Sequence, residues 1–289
     1  MELRMLKYFL TVVREKNISR AADALHITQP TLSRQMAQLE KELGTTLFTR
    51  GRTLSLTDAG IMLRRRAEEV VALMEKIEDE LSDRDEVGGV ISIGSGGLAS
   101  FRDVAVAMTG FRKLYPKVSF HLYTNSAEYV KEQLEAGILD AGVFLEPTDM
   151  TGLDYVRMRN KERWGLLVAA DHPLVKKPYI EREDLLGETL VVSGRSSVQG
   201  ELEAWLKMPM SRLDIMATQN LIVNSAMLVE RGAASALTLE GAVDLFRSDK
   251  LVFRPLYPEL LVGVVFAWKK VHSGLSAAEK FVEYFVGMQ

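Results

Sequence analysis

Between Ser19 and Gly44 the chain carries two short helical patterns separated by a break of two or three residues, and this spacing restricts the fold more than any other feature. The first pattern runs from Arg20 to Leu25, with Ser19 placed to cap it and Ala21, Ala22 and Ala24 along it. So short a helix does not stand alone, and its small side chains let a second helix approach closely. After His26-Ile27, Thr28 suits an N-cap, and Pro30 falls in the first turn, where its missing N–H costs little. The following helix is expected to bury Leu32, Met36, Leu39 and Leu43 and to stop at Gly44. Ahead of both, Leu6, Phe9, Leu10 and Val13 recur at i, i+3, i+4 and i+7, marking an amphipathic first helix. Two helices joined by a tight turn after a supporting helix make a helix-turn-helix.

The segment Leu47 to Leu56 then reads as two short extended stretches around a Gly-containing tip, a β-wing. Thr57 caps a long helix expected to reach about Ser82. Along it Leu63, Ala67, Val70, Met74, Ile77 and Leu81 alternate spacings of four and three, a heptad seam of nearly three repeats. Such a seam packs on a partner helix or on the chain's own body. The dense charge opposite (Arg64, Arg65, Arg66, Glu68, Glu69, Glu75, Lys76, Glu78, Asp79) favours the partner. Asp83 to Glu86 and Gly88-Gly89 suggest a hinge.

Beyond residue 89 strand and helix patterns alternate: Val90 to Ile93, a helix from Ser100 to Leu114, Val118 to Tyr123, a helix from Ser126 to Ala136, and Leu139 to Leu145. Strands at Gly165 to Ala169, Thr189 to Ser193, Leu213 to Ala217, Ser235 to Leu237 and Val262 to Trp268 follow. Helices fall over Val198 to Lys207, Leu221 to Arg231, Leu239 to Phe246 and Ala277 to Gly287. This alternation predicts α/β architecture with largely parallel sheets, and about 200 residues suit two halves.

The whole chain of 289 residues has a net charge of −3, which hides an asymmetry. Residues 1–66 hold 12 Lys/Arg against 6 Asp/Glu, a local +6, and the remainder holds 24 against 33, a local −9. A basic head on an acidic body points the head toward a polyanion. There is no cysteine, which excludes disulfides, thiolate metal sites and thiol redox sensing. His26, His121, His172 and His272 have no metal-ligand spacing, so neither a metal nor another cofactor is expected. No apolar run is long enough to span a membrane, and the charge-broken Met1-Glu2-Leu3-Arg4 start is no signal peptide, so a cytoplasmic protein is expected.

The run from Ser19 to Met36 resembles the helix-turn-helix signature of LysR-type transcriptional regulators. Leu39-Glu40-Lys41-Glu42-Leu43-Gly44, Leu47-Phe48-Thr49-Arg50 and Leu56-Thr57-Asp58-Ala59-Gly60 continue the likeness, with a wing one residue shorter than the family's pattern. Gly137-Ile138-Leu139-Asp140, Asp171-His172-Pro173-Leu174 and Leu228-Val229-Glu230-Arg231-Gly232 carry it more loosely through the body. The resemblance implies a winged helix-turn-helix over 1–58, a linker helix for dimerisation over 59–87 and an effector domain over 88–289. It further implies two Rossmann-like subdomains similar to periplasmic binding proteins, about 88–161 with 265–289 and about 162–264, joined by two crossovers around an effector cleft. It also implies a dimer of dimers on double-stranded operator DNA with dyad symmetry, and RNA polymerase as a further partner.

Side-chain chemistry agrees. With Leu32, Met36 and Leu39 turned inward, Gln29, Thr31, Arg34, Gln35 and Gln38 face outward, and these types read adenine, guanine and thymine edges. Pro30 and Ser33 join them by resemblance, and Arg50 and Arg52 on the wing suit phosphate or minor-groove contact. Ser95, Ser100, Asn125, Ser126, Ser193 and Thr238 fall at strand ends or helix starts, where a small polar or anionic effector binds; each is also an ordinary cap. Arg102 and Arg195 are open to two uses, a charge partner for that effector or a surface ion pair. Competing classes fare worse. A solute-binding protein does not need the basic head, and an enzyme lacks a nucleophile elbow at Ser193-Gly194-Arg195-Ser196-Ser197 or a carboxylate pair.

Overall fold

In the computed structural model the chain divides into two units, Met1–Arg84 and Asp85–Gln289. Residues 2–49, 54–82, 87–243, 248–269 and 276–289 are described, with the backbone alone for 75, 76 and 78–82.

Three helices open the first unit: α1 (Leu3–Glu15), α2 (Ile18–Ala24) and α3 (Gln29–Leu43). Phe9 and Val12 of α1, Ala21 and Ala22 of α2, and Leu32, Met36 and Leu39 of α3 form one core. The expected cap at Ser19 is corrected. Asn17 starts α2, its side-chain oxygen accepting the N–H of Arg20 at 3.0 Å, and Ser19 is exposed within the helix. Leu43 is likewise not in the core: it is 39% exposed, because α3 outruns the core past Leu39. Gly44 ends α3 in the left-handed conformation, φ 67°, as its place after the last turn requires.

The short strands β1 (Phe48–Thr49) and β2 (Ser55–Leu56) pair antiparallel, Phe48 opposite Leu56. Their base is tied to α3, where one Glu40 carboxylate oxygen accepts the N–H groups of Leu47 at 2.7 Å and Phe48 at 3.2 Å. Helix α4 (Asp58–Ser82) follows, capped by Thr57, whose hydroxyl accepts the Gly60 N–H and donates to the Thr46 carbonyl. A Cβ at Gly60 would stand 2.2 Å from the Leu47 carbonyl oxygen, so no larger residue fits this close approach. The Glu40, Thr57 and Gly60 positions of the motif are thus the fastenings of the wing to its two neighbouring helices.

The second unit contains two sheets. The first half runs β3 (Gly89–Ser95), α5 (Phe101–Leu114), β4 (Val118–Thr124), α6 (Ala127–Glu135), β5 (Ala141–Leu145) and β6 (Leu153–Arg157). The other half runs β7 (Glu162–Ala169), β8 (Thr189–Ser193), α7 (Ser196–Leu206), β9 (Asp214–Gln219), α8 (Ile222–Glu230), β10 (Ser235–Leu239), α9 (Glu240–Val243), β11 (Leu251–Pro255) and β12 (Leu261–Val262). The chain then returns through β13 (Val264–Lys269) to the first sheet and ends in α10 (Ala277–Val286). The sheet orders are β4-β3-β5-β13-β6 and β11-β7-β10-β8-β9, with β12 pairing β7.

The sheets are mixed, which corrects the expectation of largely parallel ones. In each half three strands pair parallel, and the strands beside the crossovers pair antiparallel. Strands β6 and β11 escaped the sequence reading because their burial alternates or is only partial, giving no continuous apolar run. The two crossovers lie side by side, with the Met158 N–H on the Val264 carbonyl at 2.8 Å and the Trp164 N–H on the Leu260 carbonyl at 2.9 Å. Helix α10 carries a Ser276/Glu279 capping box and packs Phe281 edge-on to Phe111, sealing the first half's core with the chain's last helix.

Candidate functional site

On α3, Gln29, Pro30, Thr31, Arg34 and Gln38 are exposed, while Ser33 and Gln35 are half-buried at the flanks. Pro30, Arg34 and Gln38 stand four residues apart, so they form one row along the helix opposite Leu32, Met36 and Leu39. Among the described residues their polar groups make local contacts, and the Gln35 side-chain oxygen has no partner. The Gln29 amide donates to the Ser33 hydroxyl at 3.0 Å, the Thr28 and Thr31 hydroxyls share a bond of 2.8 Å, and Gln38 donates to Glu42 at 3.1 Å. Each such bond within one helix surface is worth a few tenths of a kcal/mol, about 0.2–0.5, and is readily exchanged for a base edge. Arg50 and Arg52 lie outside the described residues.

Helix α4 divides the heptad seam. Ala67 is buried and Leu63 half-buried in the head's own core, whereas Val70, Met74 and Ile77 are exposed. The side chain of Leu81 lies outside the described residues. Met62, 65% exposed, and Leu73, 41% exposed, extend the uncovered stripe, and the reading of the sequence missed them. An uncorrected heptad register hid them: the stripe is turned away from the face that packs on α1.

Between the two sheets of the second unit lies a cavity of about 210 Å³. Of the six expected cleft residues, Asn125, Ser126, Ser193 and Thr238 line it. Ser126 caps α6 by accepting the Tyr129 N–H, and Asn125 accepts the Ser126 N–H at 2.8 Å, so this helix start is largely satisfied from within. Thr238 is 6% exposed and presents a polar side chain to the cavity wall. The expectation for Ser95 and Ser100 is corrected, since neither lines this cavity. Ser95 turns its hydroxyl onto the Gly96 carbonyl and, with Arg102, borders a separate hollow of about 250 Å³. Ser100 gives both its N–H and its hydroxyl to buried Glu162, at 2.8 Å each. The next three N–H groups of α5 go to Leu98, Ala99 and Ser100 carbonyls, so this helix start is already filled by the protein's own carboxylate. A Cβ at Gly241 would meet the Ala99 nitrogen and a Glu162 oxygen at 2.6 Å, so α9 closes over the same point.

Much of the remaining wall is apolar, including Leu98, Val143, Leu145, Val198, Leu221 and Leu239. Trp164 also lines it, 4% exposed, its indole N–H without a partner among the described residues; the Gln219 side-chain oxygen is likewise unpaired. Arg195 lines the cavity from the second half and reaches the first, pairing Glu128 at 2.8 Å and donating to the Thr148 hydroxyl at 3.2 Å. Nearby, burial pushes the Glu201 carboxyl above its ordinary value, against the pull of Arg195. No cluster of His, Cys, Asp or Glu fit to hold a metal occurs among the described residues, and no helix there is long and apolar enough to cross a membrane.

A family model for the LysR substrate binding domain matches residues 84–288, and one for the bacterial regulatory helix-turn-helix protein of the lysR family matches residues 3–61. The chain belongs to the LysR family. As a LysR-type transcriptional regulator it joins a DNA-binding helix-turn-helix to an effector-binding domain. It is 31% identical to the HTH-type transcriptional regulator YtlI of Bacillus subtilis over 192 residues, 66% of this chain and 62% of that one. It is 29% identical to the Hca operon transcriptional activator HcaR of Escherichia coli over 278 residues, covering 93% and 92% of the two chains. Crystalline CbnR, a LysR family transcriptional regulator, shares the fold with a TM-score of 0.77 at 24% identity over 99% of both chains. CbnR complexed with its target DNA superposes with a TM-score of 0.74 at 23% identity over the whole of both chains.

Proposed function

We propose that this LysR-family regulator reads operator DNA through the exposed row of α3 and responds to a small molecule held between the two sheets of its second unit. The working division is a DNA-binding head over 1–58, a dimerisation helix over 59–87 and an effector domain over 88–289. Gln29, Pro30, Thr31, Ser33, Arg34, Gln35 and Gln38 face the major groove, and Arg50 and Arg52 meet the backbone or minor groove. Met62, Val70, Leu73, Met74 and Ile77 form the seam of a homodimer, which pairs again into a tetramer on a dyad-symmetric site. The protein works in the cytoplasm as a regulator rather than an enzyme, with RNA polymerase as its downstream partner.

The observation that carries the effector reading is the buried, unpaired Trp164 N–H and Gln219 side-chain oxygen on the wall of an otherwise largely apolar cavity. Buried polar groups without partners are costly, and a ligand that supplies them gains that free energy. The cavity, about 210 Å³, is smaller than the roughly 300–1,000 Å³ of sites for drug-sized molecules, so the effector is a small metabolite with an apolar body. A thermal-shift screen of metabolites against the full chain, repeated on Thr238→Leu, tests this. Hits should lose their shift in the variant, and hits that keep it place the effector elsewhere.

A further inference from the structure

We propose that Arg195 sets the charge of the effector and that Glu128 stands in for the effector's anionic group when the cleft is empty. This rests on the cleft reading above and deepens it. Arg195 opens α7 as its N-cap residue, with no side-chain cap on that helix, so the helix start keeps its positive end toward the cavity edge. Its guanidinium is 19% exposed, belongs to the second half, and spans the cleft to two points of the first: Glu128 on α6 and Thr148 after β5. Glu128, in contrast, is 62% exposed and sits on a helix whose first turn is already capped by Ser126. The cation is therefore fixed and sheltered while its carboxylate partner is solvated and replaceable. An ion pair so exposed on one side holds weakly, whereas an anion inside the cavity would meet the sheltered face of the same guanidinium.

The α5 start is closed to an anion because Glu162 occupies it, and the α6 start is capped from within. The starts of α7 and α8 at the cavity both lack a side-chain cap, and only that of α7 brings a cation to the lining, Arg195, with the Ser193 hydroxyl beside it, so negative charge is accommodated there. The unpaired Trp164 N–H and Gln219 side-chain oxygen lie elsewhere on the same wall and are independent signs that a ligand completes this cavity. The ligand class is a small acid: an apolar body with one carboxylate or like anion directed to Arg195. Entry of that anion exchanges Glu128 for the ligand on Arg195 and so replaces a contact between the halves by one routed through the ligand.

Inorganic sulfate serves as the anion probe, titrated calorimetrically into the full chain with chloride holding ionic strength constant. Glu128→Gln should bind sulfate about tenfold more tightly than the parent, because the guanidinium loses its competing carboxylate. The double variant Glu128→Gln/Arg195→Gln should lose that gain. Thr148→Ala, which removes the neutral tether and keeps both charges, should bind sulfate as the parent does. Equal sulfate affinity in the parent and Glu128→Gln overturns the proposal, as does a gain that survives loss of Arg195 or is matched by Thr148→Ala. Failure of the cleft reading itself would show separately, as effector binding that is indifferent to Thr238→Leu.

Discussion

One carboxylate oxygen of Glu162 accepts both the backbone N–H and the hydroxyl of Ser100, each at 2.8 Å. This joins the first strand beyond the crossover to the start of α5 and uses the polar groups that the sequence suggested for the effector. Ser100→Ala should therefore cost stability, about 1.5–3 kcal/mol for a hydrogen bond to a buried charge. Effector affinity should change by no more than about threefold. Chemical denaturation and calorimetry separate the two, and a variant of unchanged stability with lost effector affinity would return Ser100 to the site.

On the head, Arg34 has among the described residues only a long contact, 3.4 Å, from its Nε to the Pro30 carbonyl, and is otherwise exposed. Arg34→Ala should weaken the specific operator complex by about 1–3 kcal/mol and relax its sequence preference. Fluorescence anisotropy on operator and scrambled duplexes, at fixed salt, measures both. An equal loss on every sequence would make Arg34 a phosphate contact instead.

Helix α4 offers two kinds of seam position. Leu73→Asp with Ile77→Asp changes exposed residues, and should separate protomers in analytical ultracentrifugation while leaving the head folded. Ala67→Asp places a charge in the head's core, where Ala67 is 1% exposed, and should unfold the head instead. Wild-type sedimentation of the Leu73/Ile77 variant would remove α4 from the interface.

Asp184 gives the second unit a pH-dependent anchor. Its side chain accepts the Glu181 N–H at 2.9 Å and pairs with Lys177 at 2.6 Å. Burial works to raise its pKa, but Lys177 and the Glu181 N–H outweigh it and hold the carboxyl below its ordinary value. A carboxyl depressed in the folded state stabilises above its unfolded pKa, about 3.9, and loses that contribution as pH falls through the folded value. Asp184→Asn should cost about 1–2 kcal/mol at neutral pH, with little of it from Lys177, which is 42% exposed. The gap between the two proteins should close below about pH 4. A gap that stays constant to acid would show that the carboxylate charge contributes nothing.

The helices of the head were legible because each is set by local signals. Leu32, Met36 and Leu39 repeat at helical spacing, Gly44 stops α3 and Thr57 starts α4. The α2 cap was misplaced because Asn17 and Ser19 are both good caps, and the choice falls to whichever side chain reaches a free N–H. In the cleft, Asn125, Ser126, Ser193 and Thr238 were legible as strand-end or helix-start residues. Glu162 was not, since its partner Ser100 lies 62 residues away and no local pattern encodes that contact. The apolar wall was hidden for a related reason: Leu98, Trp164 and Leu221 read as core residues until the two sheets are brought together. Strand β7 reads as buried core for the same reason, although it presents Trp164 to the cavity.

The most direct test of the account couples the cleft to the DNA. Operator binding by the full chain is measured by anisotropy with and without a metabolite that raises its melting temperature, in the parent and in Ser193→Phe. The parent should change its operator affinity or footprint when the metabolite is added. Ser193→Phe, which fills the cavity beside Arg195, should keep ligand-free operator affinity within about twofold and lose the response to the metabolite. A variant that binds DNA and responds to the metabolite as the parent does would contradict the claim that this cleft governs the regulator.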